Sequence, residues 1–216
     1  MTEEISKIIS GFYGIVNADA VGFEPAAAAL EMLRGGARVI QLRCKLSSPK
    51  EMLFFAEKIM ELKSGFGFTF IVNDDPRIAS KTGADGVHLG QKDVSCREAR
   101  EIVGRDKIVG VSTHNDAELE KALGDGADYV GFGPIFHTRS KKNPDPVQGL
   151  KGLERALGIS TVPVVAIGGI NRENIRDVIS TGVQAAASIE AVYGTNDIRG
   201  SVAALSGLFD EMRKGR

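Results

Sequence analysis

Two stretches decide the fold: "GADGVHLG" at residues 83–90 and "GADYVGFG" at 126–133. Each begins with a helix-ending glycine and runs at once into a short apolar segment. A third stretch, "GGARVIQLR" at 35–43, has the same grammar, and the marker glycines at 36, 83 and 126 lie 47 and 43 residues apart. That spacing is about two strand-helix units each time. Further candidate strands are "FYGIV" (12–16), "RVIQLR" (38–43), "FTFIVN" (68–73), "KIVGVS" (107–112), "VPVVAIG" (162–168) and "QAAASI" (184–189). With "GVHLG" (86–90) and "YVGFGPI" (129–135) they make eight. Most are continuously apolar rather than alternating, as strands covered on both faces are.

The segments between them carry helix-start chemistry. Ser48-Pro49-Lys50-Glu51 sets a cap, a first-turn proline and an acid in order. Asp75-Pro76 does the same, and Ser95 to Glu98 and Asn115 to Glu118 have capping-box spacing. Gly35-Gly36, Gly83, Gly126 and Gly182 mark helix ends. Eight strand-helix units in 216 residues, with no break in composition, predict an α/β chain folded as one (β/α)₈ TIM barrel. Residues 1–11 are a short extension or helix ahead of it. A doubly wound open sheet is the alternative, but no GxGxxG follows the first strand.

Composition narrows the function classes. The chain is 43% hydrophobic and 25% charged with a net charge of -1, which fits a globular protein and offers no bulk attraction to nucleic acid or to an anionic membrane. No run reaches the roughly 20 apolar residues of a membrane span. The N-terminal "MTEEISKIISG" lacks a secretory pattern, and two cysteines, Cys44 and Cys96, give no disulfide framework, so a cytoplasmic setting is expected.

In such a barrel, chemistry gathers where strands end. The third candidate strand stops abruptly in Asn73-Asp74-Asp75-Pro76. Asp75 reads as the helix cap before proline, which leaves Asp74 for the rim. Asp93 lies 19 residues further on, one strand-helix-strand step, so the two acids belong to neighbouring strand ends, roughly 5 Å apart across the sheet. Lys45, Lys141, Ser112, Thr138 and Ser140 fall at other strand ends. Carboxylates among cations and hydroxyls could be plain ion pairs. The same cations and hydroxyls also suit a polyphosphate, and one Mg²⁺ held by Asp74 and Asp93 removes the conflict between carboxylate and phosphate. The long segment 136–149, with Arg139, Lys141, Lys142 and two prolines, reads as a lid or binding loop. "AIGGI" at 166–170 offers backbone N–H groups to a phosphate. His88, inside an apolar strand, reads as a hydrogen-bonded core histidine, His114 as an outer or capping group, and Cys44 as filler.

Taken together, "QLRCK", "ND" at 73–74, "GVHLGQKD", "GVSTH", "DYVGFGPIFHTRSK" and "AIGGI" resemble the thiamine-phosphate synthase family over about residues 12–200. The resemblance implies joining of a hydroxymethylpyrimidine diphosphate to a thiazole phosphate. Pyrophosphate leaves dissociatively, and the thiazole nitrogen attacks the exposed methylene carbon. It implies that Gln41, Arg43, Lys45, Asn73, Ser112 and Lys141 meet the pyrimidine diphosphate, with Ser112 and Lys141 as catalytic contacts to the leaving group. It further implies Thr138, Arg139, Ser140, Gly169, Ile189 and Glu190 at the thiazole phosphate. Asp74 and Asp93 would bind one Mg²⁺ per subunit. Its partners would be these small molecules, and a homo-oligomer is compatible with it. Two positions depart from the family pattern: Ile189-Glu190 stands where a small residue pair ending in serine is usual, and His137 where proline is common. A thiazole tautomerase on the same barrel is the rival reading, but that relative lacks the Asn-Asp pair. A non-catalytic sensor of thiamine precursors is the other.

Overall fold

In a computed structural model the described residues are 2–20, 22–138 and 145–214. They form eight parallel strands in a closed barrel, each paired with the next and the last with the first. The strands are β1 (Gly11–Asn17), β2 (Val39–Arg43), β3 (Thr69–Asn73), β4 (Gly86–Leu89), β5 (Ile108–Thr113), β6 (Tyr129–Phe132), β7 (Val164–Ile167) and β8 (Ala185–Ala187). All eight lie where sequence predicts them. The main differences are at the ends of β6, β7 and β8. Past Phe132 the chain leaves regular pairing, because Pro134 has no N–H to give; Ile135 and Phe136 instead donate to Ile167 and Gly168.

The helices are α1 (Thr2–Ile8), α2 (Pro25–Arg34), α3 (Pro49–Glu61), α4 (Pro76–Thr82), α5 (Cys96–Val103), α6 (Asp116–Gly124), α7 (Gly149–Ile159), α8 (Ile175–Ser180), α9 (Glu190–Tyr193) and α10 (Ile198–Lys214). Their starts follow the expected chemistry. Ser48 and Ser95 each close a full capping box, with Glu51 and Glu98, and Asp75 accepts from the N–H groups of Arg77 and Ile78. No helix among the described residues is long and apolar enough to cross a membrane.

The repeated Gly-Ala-Asp has a mechanical role. Asp85 accepts from the Phe70 N–H at 2.7 Å and pairs with Lys63; Asp128 accepts from the Val109 N–H at 2.7 Å and pairs with Arg100. Gln184 does the same for Val164 at 3.0 Å. Each such side chain ties the foot of its strand to the previous or preceding-neighbour strand, so the barrel is pinned at its lower edge.

The strands bury both faces. Outward residues such as Ile40, Phe70, Val87, Val130 and Val164 pack under the helices, while Tyr13, Val39, Ile71, Ile108, Tyr129 and Val165 fill the interior. Ile5, Ile8 and Ile9 close the lower end. Two tyrosines inside so narrow a barrel need space, and for Tyr129 a glycine supplies it. A β-carbon on Gly110 would sit 2.2 Å from Cζ of Tyr129. Gly110→Ala is therefore expected to cost about 2–3 kcal/mol by overpacking. Gly124→Ala, in open space on α6, should be neutral or stabilising by up to about 1 kcal/mol. Urea midpoints check this, and equal midpoints for the two variants would contradict the packing.

Candidate active site

Closure brings the C-terminal strand ends onto one rim around a cleft of about 480 Å³. Gln41, Arg43, Lys45, Asn73, Asp74, Asp93, Ser112, Thr138, Gly169, Ile189 and Glu190, all chosen from sequence, line it. Arg139, Ser140 and Lys141 lie outside the described residues.

The question raised by Asn73-Asp74-Asp75 resolves residue by residue. Asn73, the last residue of β3, is buried and lines the cleft. Asp75 is turned to α4 as its cap. Between them Asp74 has φ 69°, the one non-glycine residue with positive φ among those described. Aspartate tolerates that left-handed conformation better than most residues. The turn parts two consecutive carboxylates, Asp75 toward the helix and Asp74 toward the cleft.

Asp74 meets Lys45, whose Nζ donates to its Oδ2 at 2.5 Å. Lys45 is placed by Asp19, which accepts from the backbone N–H groups of Lys45 and Leu46 at 3.0 and 3.1 Å. Arg43 donates to Asn17 Oδ1 at 3.1 Å. Asp93 sits in the turn after β4, where its Oδ2 accepts from the Gly90 N–H at 2.7 Å. Ser95, not Asp93, caps α5. Burial raises the pKa of Asp93 and so does the facing carboxylate of Asp74, against the lowering effect of the Gly90 N–H. Two carboxylates thus share one lysine, an excess of one negative charge.

Among the described residues no group of three or more His, Cys, Asp or Glu forms a metal cage. An oxygen-only pair of carboxylates at a wet cleft is nonetheless what a hard divalent cation takes when phosphate and water complete its shell.

His88 is a satisfied core histidine, as its position in the sequence suggests. Its Nδ1 is 2.9 Å from the Tyr129 hydroxyl and its Nε2 2.8 Å from Ser112 Oγ. Burial lowers its pKa to about 4, so the ring is neutral. His114 joins two acids instead: Glu118 at 2.8 Å and Asp145 at 3.2 Å, linking the β5 turn to the far end of the 136–149 segment. Cys44 is buried, with its thiol pushed up to about 12.

On the other side of the cleft, Gly168 and Gly169 have φ values of 100° and 64°. A β-carbon on Gly169 would come within 2.3 Å of the His137 carbonyl oxygen. These glycines let the β7 turn lie flat against the segment leaving β6, beside buried Thr138. Ser188, overlooked in the sequence, donates to the Ile170 carbonyl at 2.6 Å and accepts from the Ala191 N–H at 3.1 Å, tying β8 to the β7 turn. Glu190, first residue of α9, is exposed. Tyr13, Tyr129, Gln91 and Asp19 were also missed. Tyr129 could have been found from period-two placement opposite the inward Gly110.

A TIM barrel whose C-terminal rim carries carboxylates, cations and a glycine turn after β7 has the makeup of the phosphate-handling barrel enzymes. The profile of the thiamine monophosphate synthase family matches residues 12–192. A thiamine-phosphate synthase of Chlorobium phaeovibrioides is 44% identical over 191 residues, covering 88% of this chain and 90% of that protein. One of Caldicellulosiruptor saccharolyticus is 39% identical over 183 residues, covering 85% and 83%. The solved structure of thiamine phosphate pyrophosphorylase from Pyrococcus furiosus superposes with a TM-score of 0.86 at 35% identity, covering 96% of this chain and 98% of that one. The chain belongs to the thiamine monophosphate synthase family.

Asp93→Asn keeps an acceptor for Gly90 and removes the repulsion with Asp74. Because the folded-state pKa of Asp93 is raised, its carboxylate costs stability once pH rises above the unfolded value. The metal-free variant should therefore melt above the wild type at pH 7, with the gap closing toward pH 3. Calorimetry across that range checks the sign, and a lower melting temperature at pH 7 would contradict it.

Proposed function

We propose that the chain joins a hydroxymethylpyrimidine diphosphate to a thiazole phosphate, releasing pyrophosphate and forming thiamine phosphate. The observation that carries this reading is the Asp74–Asp93 pair with Lys45 at its edge, in a chain of this family. The bond from the methylene carbon to the diphosphate oxygen breaks, and its electron pair leaves with pyrophosphate. The lone pair of the thiazole nitrogen forms the new carbon–nitrogen bond, and the ring becomes a thiazolium.

The residues divide the work. Gln41 and Asn73 face the pyrimidine from buried positions on β2 and β3, and the Gln41 amide is held by its bond to the Tyr13 hydroxyl. Arg43, Lys45, Ser112 and Lys141 bind the diphosphate, with Ser112 and Lys141 as the catalytic contacts to the leaving group. Thr138, Arg139, Ser140 and Gly169, with the backbone of Ile189 and Glu190, hold the thiazole phosphate, and the exposed Glu190 keeps its carboxylate in water. Asp74 and Asp93 hold Mg²⁺, which when bound supplies positive charge to the departing pyrophosphate. Fixing both partners in one cleft supplies the rest, since little covalent work falls to the protein. Free, buried Cys44 and Cys96 favour a reducing, cytoplasmic setting, and a homo-oligomer fits this assignment.

The test is a coupling assay with both substrates, following thiamine phosphate and pyrophosphate together. Equal release of both, abolished by chelator, is expected. Asp74→Ala should lose at least about a hundredfold in kcat together with its response to Mg²⁺. Wild-type rates from that variant, or no product from the wild type, would reject the reading.

A further inference from the structure

Five polar side chains cross the barrel interior in unbroken contact. Gln41 Nε2 donates to the Tyr13 hydroxyl at 3.0 Å. The Tyr13 and Tyr129 hydroxyls are 2.8 Å apart. Tyr129 is 2.9 Å from His88 Nδ1, and His88 Nε2 is 2.8 Å from Ser112 Oγ. Tyr13, Gln41, His88 and Tyr129 are at most 8% exposed, so water does not interrupt the series. All five line the cleft, with Gln41 on β2 at one end and Ser112 on β5 at the other.

The donors must agree along such a series, because a hydroxyl has one proton and a neutral imidazole has one. Tyr13 accepts from Gln41, so its own proton goes to Tyr129. Tyr129, having accepted, gives its proton to His88 Nδ1. His88 must then carry its proton on Nε2 and donate it to Ser112 Oγ. Ser112 is left with its O–H free to point into the cleft. Were the Gln41 amide turned over, every bond would reverse. Ser112 would donate to His88 and present only lone pairs to an anion.

We propose that this series is a one-directional hydrogen-bond chain that holds the Ser112 hydroxyl as a donor toward the oxygens of the leaving diphosphate. It rests on the function proposed above and adds a positioning role for Tyr13, Tyr129 and His88, which act on the leaving group through the Ser112 hydroxyl. The chain also joins the amide that faces the pyrimidine to the hydroxyl that faces the leaving group. A pyrimidine that held Gln41 in the observed amide orientation would thereby orient Ser112 on the far side of the barrel.

The protein has three histidines, so ¹⁵N-histidine labelling with His88→Gln as the assignment control resolves the ring of His88. The neutral form protonated on Nε2 is expected from pH 5.5 to 8 in the wild type. A proton on Nδ1, or an even mixture of the two, would overturn the chain. Tyr129→Phe removes the donor to Nδ1 without adding volume. It should convert His88 to a tautomer mixture and lower kcat for pyrophosphate release by about tenfold to a hundredfold, with the KM for thiazole phosphate unchanged. A folded Tyr129→Phe enzyme with wild-type kcat would overturn the positioning role. A wild type that makes no thiamine phosphate would instead remove the activity reading, and with it the aim at a diphosphate, whereas the tautomer would still report the chain.

Discussion

Parallel pairing around a closed barrel is the constraint on which everything else depends. It forces the C-terminal ends of all eight strands onto one rim, whatever those ends carry. Here they carry two carboxylates on adjacent strands, and like charges so placed repel. Lys45 pairs with Asp74, and burial together with the facing Asp74 carboxylate raises the pKa of Asp93. A phosphate-bearing ligand would be repelled from this rim by the same excess charge. A divalent cation on the pair would reverse the local sign, stabilising the protein and admitting the ligand with one ion.

The foundation of the rim is set lower in the fold. Asp85, Asp128 and Gln184 bind the feet of their strands to neighbouring backbone, and the interior above them is filled by Tyr13 and by Tyr129 packed over Gly110. That packing leaves the polar ends of the two tyrosines no solvent, so they must bond to each other and to their neighbours on β2 and β4. The buried polar series is therefore a consequence of filling a narrow barrel with phenols, and its position below the cleft makes it available for function.

Much of this was legible in the residues alone. Continuous apolar runs separated by capping chemistry marked all eight strands, and the Gly-Ala-Asp repeat marked their rhythm. The assignment of Asp75 to a helix and Asp74 to the rim followed from proline at 76. The interior series was not legible, because strands buried on both faces hide which residues point inward; His88 was read as a core residue without its partners. The end of β6 was overrun because "YVGFGPI" stays apolar past the point where Pro134 ends regular pairing. Asp19 and Ser188 act through backbone contacts between distant elements, which no local pattern records.

The most direct measurement is calorimetric titration of pyrophosphate into the protein with Mg²⁺ present and with it chelated. Binding that requires Mg²⁺, and that is lost in Asp74→Asn at the same Mg²⁺ concentration, is expected if the carboxylate pair becomes an anion site only through a cation. Equal binding of pyrophosphate with and without Mg²⁺ would contradict it, and would leave the lysines and backbone N–H groups of the rim as the whole of the phosphate site.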